Sequence, residues 1–245
     1  MATFIDTLRF TIHDESRRGA VAAIARSPLA PRVRVLRFDD FDYDDCMMHF
    51  AHCGTFGNEL AQLTALEELR VRGDRWSVGA LPATLRTFVR ESCTLSSEEV
   101  RELAAFEWPV LEHLELWFGN IDYGASATVA DLAPILAGRR TPKLGHLGIR
   151  NSELAEPLLE ALAKSPLLPR LHSLDLSMGN AGDDMVRALV AHAPRLRHLA
   201  SIDLTDNFLT EDHTAEIRRV LDNVIVANQR YLDDELSGRY VAEHE

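Results

Sequence analysis

The amino-acid sequence predicts an α/β fold in which one parallel sheet is assembled from repeated strand-and-return units. Three observations lead there. Frames of the form apolar-x-x-apolar-x-apolar begin at residues 5, 33, 66, 85, 111, 144, 171, 199 and 221. Most intervals between them, 28, 33, 19, 26, 33, 27, 28 and 22 residues, suit one strand plus one return helix. The segments between frames carry helix-start signals and helical apolar spacing.

The elements follow in order. Ile5, Leu8 and Phe10 open the series, with a helix expected over Glu15–Arg26. Val33, Leu36 and Phe38 come next, followed by an expected helix over Asp45–Leu63. From Leu66, Leu69 and Val71 to Leu85 and Phe88 the step is only 19 residues, too short for a helix. Its Gly73, Gly79 and Pro82 predict an irregular loop on the convex side. Ser96-Ser-Glu-Glu99 is a capping box before Val100, Leu103 and Phe106. Leu111, Leu114 and Leu116 lead to Thr128-Val-Ala-Asp131, which plays a similar capping part before a helix carrying Leu132, Ile135 and Leu136. Leu144, Leu147 and Ile149 precede a helix started by Pro157 and ended by Ser165-Pro166. Leu171, Leu174 and Leu176 precede a helix near Asp183–Ala193, and a last helix falls near Glu211–Leu221. Leu221, Val224 and Val226 form a closing strand.

One frame is complete. Leu199-Ala-Ser-Ile202-Asp-Leu204-Thr-Asp-Asn207-Phe-Leu209 fills every fixed position of the leucine-rich-repeat template L-x-x-L-x-L-x-x-N/C-x-L. The predicted architecture is therefore a leucine-rich-repeat solenoid, or horseshoe, with a parallel concave sheet of eight or nine strands and convex helices. Elsewhere the asparagine slot holds Gly119, Ser152 or Gly179, and Arg90 replaces an apolar residue. No linker divides the chain, so residues 1–245 form one domain. Within it, 1–32 serves as N-terminal repeat and cap, 33–227 as repeats and 228–245 as a polar C-terminal cap.

Composition narrows the function. The chain has 245 residues, 46% of them hydrophobic, enough for an extended core, and a formal net charge of −12. Such a charge repels nucleic acid and anionic membrane surfaces, so neither is an expected partner. Three cysteines without paired spacing fit a reducing cytoplasm. The start MATFIDTLRFTIHDESRR lacks an apolar h-region, and no run of about 18 apolar residues marks a membrane span. Phosphate-cradling GxGxxG or Walker patterns do not occur. The expectation is a cytoplasmic, monomeric, non-catalytic protein with no cofactor.

Side chains alternate along a strand, so the fourth and sixth residues of each frame face the core and the third, fifth and seventh face out. On parallel strands about 4.8 Å apart, each position becomes a ladder. The fifth-position ladder reads Arg9, Arg37, Arg70, Val89, Glu115, Gly148, Asp175, Asp203. The seventh carries Arg72, Glu91, Trp117 and Arg150, and the third carries His113 and His146 on adjacent strands. The expected face is basic toward the N-terminal strands and acidic toward the C-terminal ones, with Trp117 at the change of sign. Arg37, Arg70, Arg72, Glu91, His113, Glu115, Trp117, His146, Arg150, Asp175 and Asp203 are the candidate partner-binding residues. An exposed Trp amid charges is an interface anchor; burial under Phe118–Ser126 is the competing placement. Two imidazoles at matched positions can share a metal, with Glu115 alone in reach as third ligand, but the reading adopted is a polar pair. Asp175 and Asp203 sit side by side without an evident pocket or nucleophile, so no catalytic residues are assigned.

The whole chain resembles bacterial cytosolic leucine-rich-repeat proteins, in particular a family of uncharacterised function. The resemblance rests on LEHLELWFGNIDYG, TVADLAPILAG, HLGIRNSELAE, LDLSMGN and the terminal RYVAE, and is specific from Leu111 to Asn207. It implies a scaffold binding a protein or peptide on the concave face, without accepted catalytic residues. The alternative is a regulatory subunit, inhibitory or activating, of an enzyme encoded nearby.

Overall fold

The computed structural model describes residues 6–11, 16–41, 46–231 and 238–242. In chain order the strands are β1 (Thr7–Arg9), β2 (Val35–Phe38), β3 (His52–Phe56), β4 (Glu68–Arg72), β5 (Asp74–Val78) and β6 (Thr87–Glu91). They continue as β7 (His113–Gly119), β8 (His146–Ser152), β9 (Ser173–Asp175), β10 (Ser201–Asp203) and β11 (Val224–Ile225). The helices are α1 (Ser16–Ala25), α2 (Ser97–Ala105), α3 (Ala133–Leu136), α4 (Ala155–Ala163), α5 (Asp183–Leu196) and α6 (Glu211–Arg218).

Nine strands form one parallel sheet in the order β1-β2-β4-β6-β7-β8-β9-β10-β11, one for each frame. The register runs through without a slip. Arg9, Arg37, Arg70, Val89, Glu115, Gly148, Asp175 and Asp203 stand opposite one another, as do Thr7 through Ser201 two residues earlier. One inward ladder, Leu36, Leu69, Phe88, Leu114, Leu147, Leu174 and Ile202, is fully buried. Each of these side chains contributes roughly 1.5–3 kcal/mol by leaving water. A one-residue slip in any strand would turn this ladder outward, which is why the register holds. Helices α4, α5 and α6 lie side by side and send Leu158, Leu162, Val186, Leu189 and Ile217 into the same core. No helix among the described residues is long and apolar enough to cross a membrane.

Between β2 and β6 the structure corrects two expectations. The segment expected as a helix over Asp45–Leu63 instead holds two short 3-10 turns, Met48–Phe50 and Leu60–Gln62, with β3 between them; Asp45 itself is outside the described residues. The expected irregular loop between Leu66 and Leu85 contains β5, which pairs in parallel with β3 as a second, two-stranded sheet. Two consecutive returns thus satisfy each other's backbone groups, and neither needs a helix. Close approach makes this possible: a Cβ on Gly73 would lie 2.2 Å from the Ala51 carbonyl oxygen, and its φ is 126°.

The caps also differ in detail. Ser96 Oγ accepts from the Glu99 amide at 3.1 Å, but the Glu99 carboxylate turns away to Arg90, so the capping box is half made. A complete box, unread in the sequence, joins Thr210 and His213 at the start of α6. Helix α3 is only four residues because Asp131 binds back to Thr128 and Ser97 rather than opening a long helix. Asn207 performs its template role, with Nδ2 donating to the carbonyls of Leu176, Leu204 and Thr205 while Oδ1 accepts from the Ala181 amide. Gly119 and Gly179 stand where a neighbouring backbone comes too close for a side chain: a Cβ would meet the Cys93 oxygen at 1.7 Å and the Ser152 oxygen at 2.7 Å. The C-terminal segment is not simply polar, since Val241 is buried and Tyr240 packs edge-on against Phe208.

Candidate functional site

The outward ladders bring the predicted residues onto one face, where they pair with one another. Glu68, at a third position, lies between two fifth-position arginines: it is 2.7 Å from Arg37 and 2.8 Å from Arg70. Burial raises the Glu68 carboxyl, but Arg70 and Arg37 more than offset that and hold it below its usual range. Arg72 pairs with Glu91 at 2.8 Å, and Arg9 faces Asp39 and Asp40. The expected basic half is therefore neutralised. Glu68 and Asp39, on the ladders either side, offset the like-charge repulsion that the fifth-position arginines alone would carry. Toward the other end, Asp175 and Asp203 each accept the amide of the residue two positions on, Ser177 and Thr205, at 2.9 and 2.8 Å. Burial raises Asp175, with the nearby Arg150 opposing.

Trp117 is buried, 7% exposed, and so is not the exposed anchor. Its cover is not the Phe118–Ser126 loop alone. The Arg150 guanidinium lies 4.8 Å from the ring centroid and that of Arg72 6.0 Å, while Met48 and Cys93 pack beside it. The indole nitrogen donates to Glu115 Oε1 at 2.7 Å, and Arg150 donates to the same oxygen at 2.8 Å. Arg150 also reaches Ser177 at 2.9 Å, Met178 Sδ at 3.1 Å and Asp175 at 3.5 Å. Trp117 and Arg150 are register partners on β7 and β8, so the sheet itself aligns this network. Burial works to raise the Glu115 carboxyl, but His113, Trp117 and Arg150 hold it down at about 2.

His113 and His146 stack face to face, with centroids 4.0 Å apart and planes 8° from parallel. His146 Nδ1 hydrogen-bonds Ser173 Oγ at 2.8 Å. Burial first, then the neighbouring His113, pushes His146 down to about 4, so the ring is neutral near pH 7. His113 Nε2 lies 3.5 Å from Glu115 Oε2.

Several residues of the site were not singled out from the sequence. Glu68, Ser173, Ser177 and Gly148 were visible as ladder members, so the register was the available signal. Cys93 fills the asparagine-or-cysteine slot of the Leu85 frame and Met178 precedes the Gly179 slot of the Leu171 frame, whereas Met48 arrives from a turn that no frame encodes.

No family model matches the chain, and no curated protein matches it. Among solved structures, a Bacteroides fragilis protein determined as a structural-genomics target is similar, with a TM-score of 0.85 and 20% identity over 97% of this chain and 68% of that one. Listeria monocytogenes InlP aligns with a TM-score of 0.42 and 15% identity, over 90% of this chain and 60% of its own. The first likeness shows the fold: an α/β chain built on a nine-stranded parallel sheet, solenoid-like in its repetition.

Proposed function

We propose that the chain is a leucine-rich-repeat protein of the bacterial cytoplasm that acts without catalysis, holding a protein or peptide partner against the outward sheet face, the concave side of the solenoid. One observation carries this reading. The third and fifth positions of β2, β4, β9 and β10 remain part-exposed along the sheet; on β2 and β4 the charges there are fixed by one another, and on β9 and β10 Asp175 and Asp203 are held by backbone amides. Such a face meets a partner with its side chains ordered in advance, which lowers the entropy lost on binding. Because Arg37, Arg70 and Arg72 are paired, complementarity rests on the alternating pattern of charge rather than on a basic groove.

The test places a photo-crosslinking amino acid at Thr87 or Ser201 on this face, and at Arg187 or Glu216 on exposed helical surface, in the source cells. The expected result is one discrete adduct from Thr87 and Ser201, suppressed by excess uncrosslinkable protein and missing from the helical positions. Adducts from the helical positions alone would place the partner on the other side and overturn the reading.

A further inference from the structure

We propose that His113, Glu115 and His146 form a three-ligand binding site for a first-row divalent metal cation, zinc being the ion their donor set favours. Nothing in the partner-binding reading requires this site. The three residues come from adjacent strands at matched register, His113 opposite His146 and Glu115 opposite Gly148. Their candidate ligand atoms all lie within 4.8 Å of one another. A tetrahedral zinc ion at about 2.0–2.2 Å from nitrogen and oxygen ligands needs donors a little over 3 Å apart, and because the two rings stack nearly parallel, both must rotate out of the stack for their lone pairs to converge on the ion.

Three further features point the donors at a ligand. First, Nε2 of His146 is buried with no hydrogen-bond partner among the described residues, and the buried Nε2 of His113 faces Glu115 Oε2 at 3.5 Å. Buried polar nitrogens without partners are uncommon and call for an occupant. Second, the surrounding groups set the donors as a metal site requires. Ser173 holds Nδ1 of His146, which leaves Nε2 as the lone-pair nitrogen when Nδ1 carries the proton. Trp117 and Arg150 both donate to Oε1 of Glu115, which leaves Oε2, on the His113 side, for the cation. Third, the glycine at 148 lets Glu115 and His146 close in over it. A Cβ at that position would lie 3.0 Å from Glu115 Cγ and 3.5 Å from His146 Nε2. It is the one fifth-position ladder member without a side chain.

Two histidines and one carboxylate leave a fourth coordination position, which water fills in zinc sites of this kind. The Arg150 charge opposes the cation, so binding is expected to be weaker than at a closed four-ligand structural site.

The experiment titrates Co²⁺, a spectroscopic substitute for zinc, into the full chain at neutral pH, then displaces it with Zn²⁺. The expected result is one equivalent bound, a visible absorption band of four- or five-coordinate Co²⁺, and loss of the band on adding zinc. Zinc should also move the imidazole ¹⁵N signals of two histidines only, which needs no variant. His146→Gln should weaken binding at least 100-fold. Ser173→Ala, which keeps all three ligands, should weaken it about 10–100-fold. Gly148→Val keeps the ligands and suits a strand, yet pushes Glu115 and His146 away from each other, so it should abolish binding with the circular dichroism unchanged. His192→Ala, altering a histidine paired with Glu160 elsewhere, should change nothing. Absence of saturable binding to the wild-type chain, or wild-type affinity retained in Gly148→Val and His146→Gln, overturns the proposal.

Discussion

Arg90 occupies a sixth frame position, where every other strand from β2 to β10 that reaches that position places an apolar residue, and it is fully buried. Its Nε is 2.5 Å from Glu99 Oε1, and Nη1 donates to the carbonyls of Gly73 and Glu91 at 2.6 Å each. Burial lowers the Arg90 pKa, but Glu99 outweighs it and keeps the guanidinium charged. Glu99→Gln preserves the shape and one acceptor, so what it removes is the countercharge. Breaking a buried pair from one side costs about 3–5 kcal/mol, which for a chain of this size lowers Tm by roughly 6–20 °C. Arg90→Met/Glu99→Met removes both charges and leaves only the Gly73 and Glu91 carbonyls short of a donor, at roughly 1–3 kcal/mol each at most. The double variant should therefore lie well above the sum of the singles, with a coupling of at least about 2 kcal/mol. Urea unfolding of wild type, Arg90→Met, Glu99→Met and the double variant measures this directly. Additivity within about 0.5 kcal/mol would falsify the claim that the two charges act as a unit.

Other sites give independent checks. Glu68→Gln leaves Arg37 and Arg70 facing each other across neighbouring strands and should cost about 1 kcal/mol at neutral pH. The folded Glu68 pKa lies below 4.5, so its contribution is present above about 4.5 and is lost as pH falls through the folded value. The gap between wild type and variant should accordingly shrink on acidification; a gap constant with pH would refute the pairing. Gly119→Ala should destabilise by at least about 3 kcal/mol, because φ is 84° and the new Cβ would run into the Cys93 carbonyl. Asn207→Asp should unfold at lower temperature than wild type by as much as Asn207→Ala or more, since a carboxylate would face three carbonyl oxygens.

How much of this was legible in the sequence depends on what carries the information. Frame spacing is a local property, and leucines at fixed intervals specify which residues turn inward whatever lies between. All nine frames became strands for that reason, with the ladder register intact even before Leu85. The return segments carry no such periodic signal. Between Phe38 and Leu85 the chain has two glycines in close contact with neighbouring backbone, Gly73 and Gly79. Glycine in a sequence reads equally as loop or as close approach. Only the arrival of β3 against β5 decides between them, and that pairing is not written in either segment alone.

The candidate site divides along the same line. That His113 and His146 meet, and that Trp117 stands beside Arg150, follows from register and was readable. Whether a charge on the face is free or paired was not. Reading the fifth position alone made the face polarised, because one ladder was followed along the sheet. Several ion pairs run between ladders instead: Glu68 reaches two arginines, and Glu115 takes Arg150 from a seventh position on the next strand, while Arg72 and Glu91 pair along one ladder. A long guanidinium side chain spans about the distance between neighbouring ladders, so the electrostatic unit of a parallel sheet is the block of adjacent positions rather than the single row. The rule carries over to the central cluster. Arg150 and Trp117 consume one oxygen of Glu115, and what is left toward the two histidines is its second oxygen and the Nε2 of His146, unpartnered among the described residues. The most reactive chemistry on the face thus lies where diagonal pairing leaves donors unspent, not where the row of charges is longest.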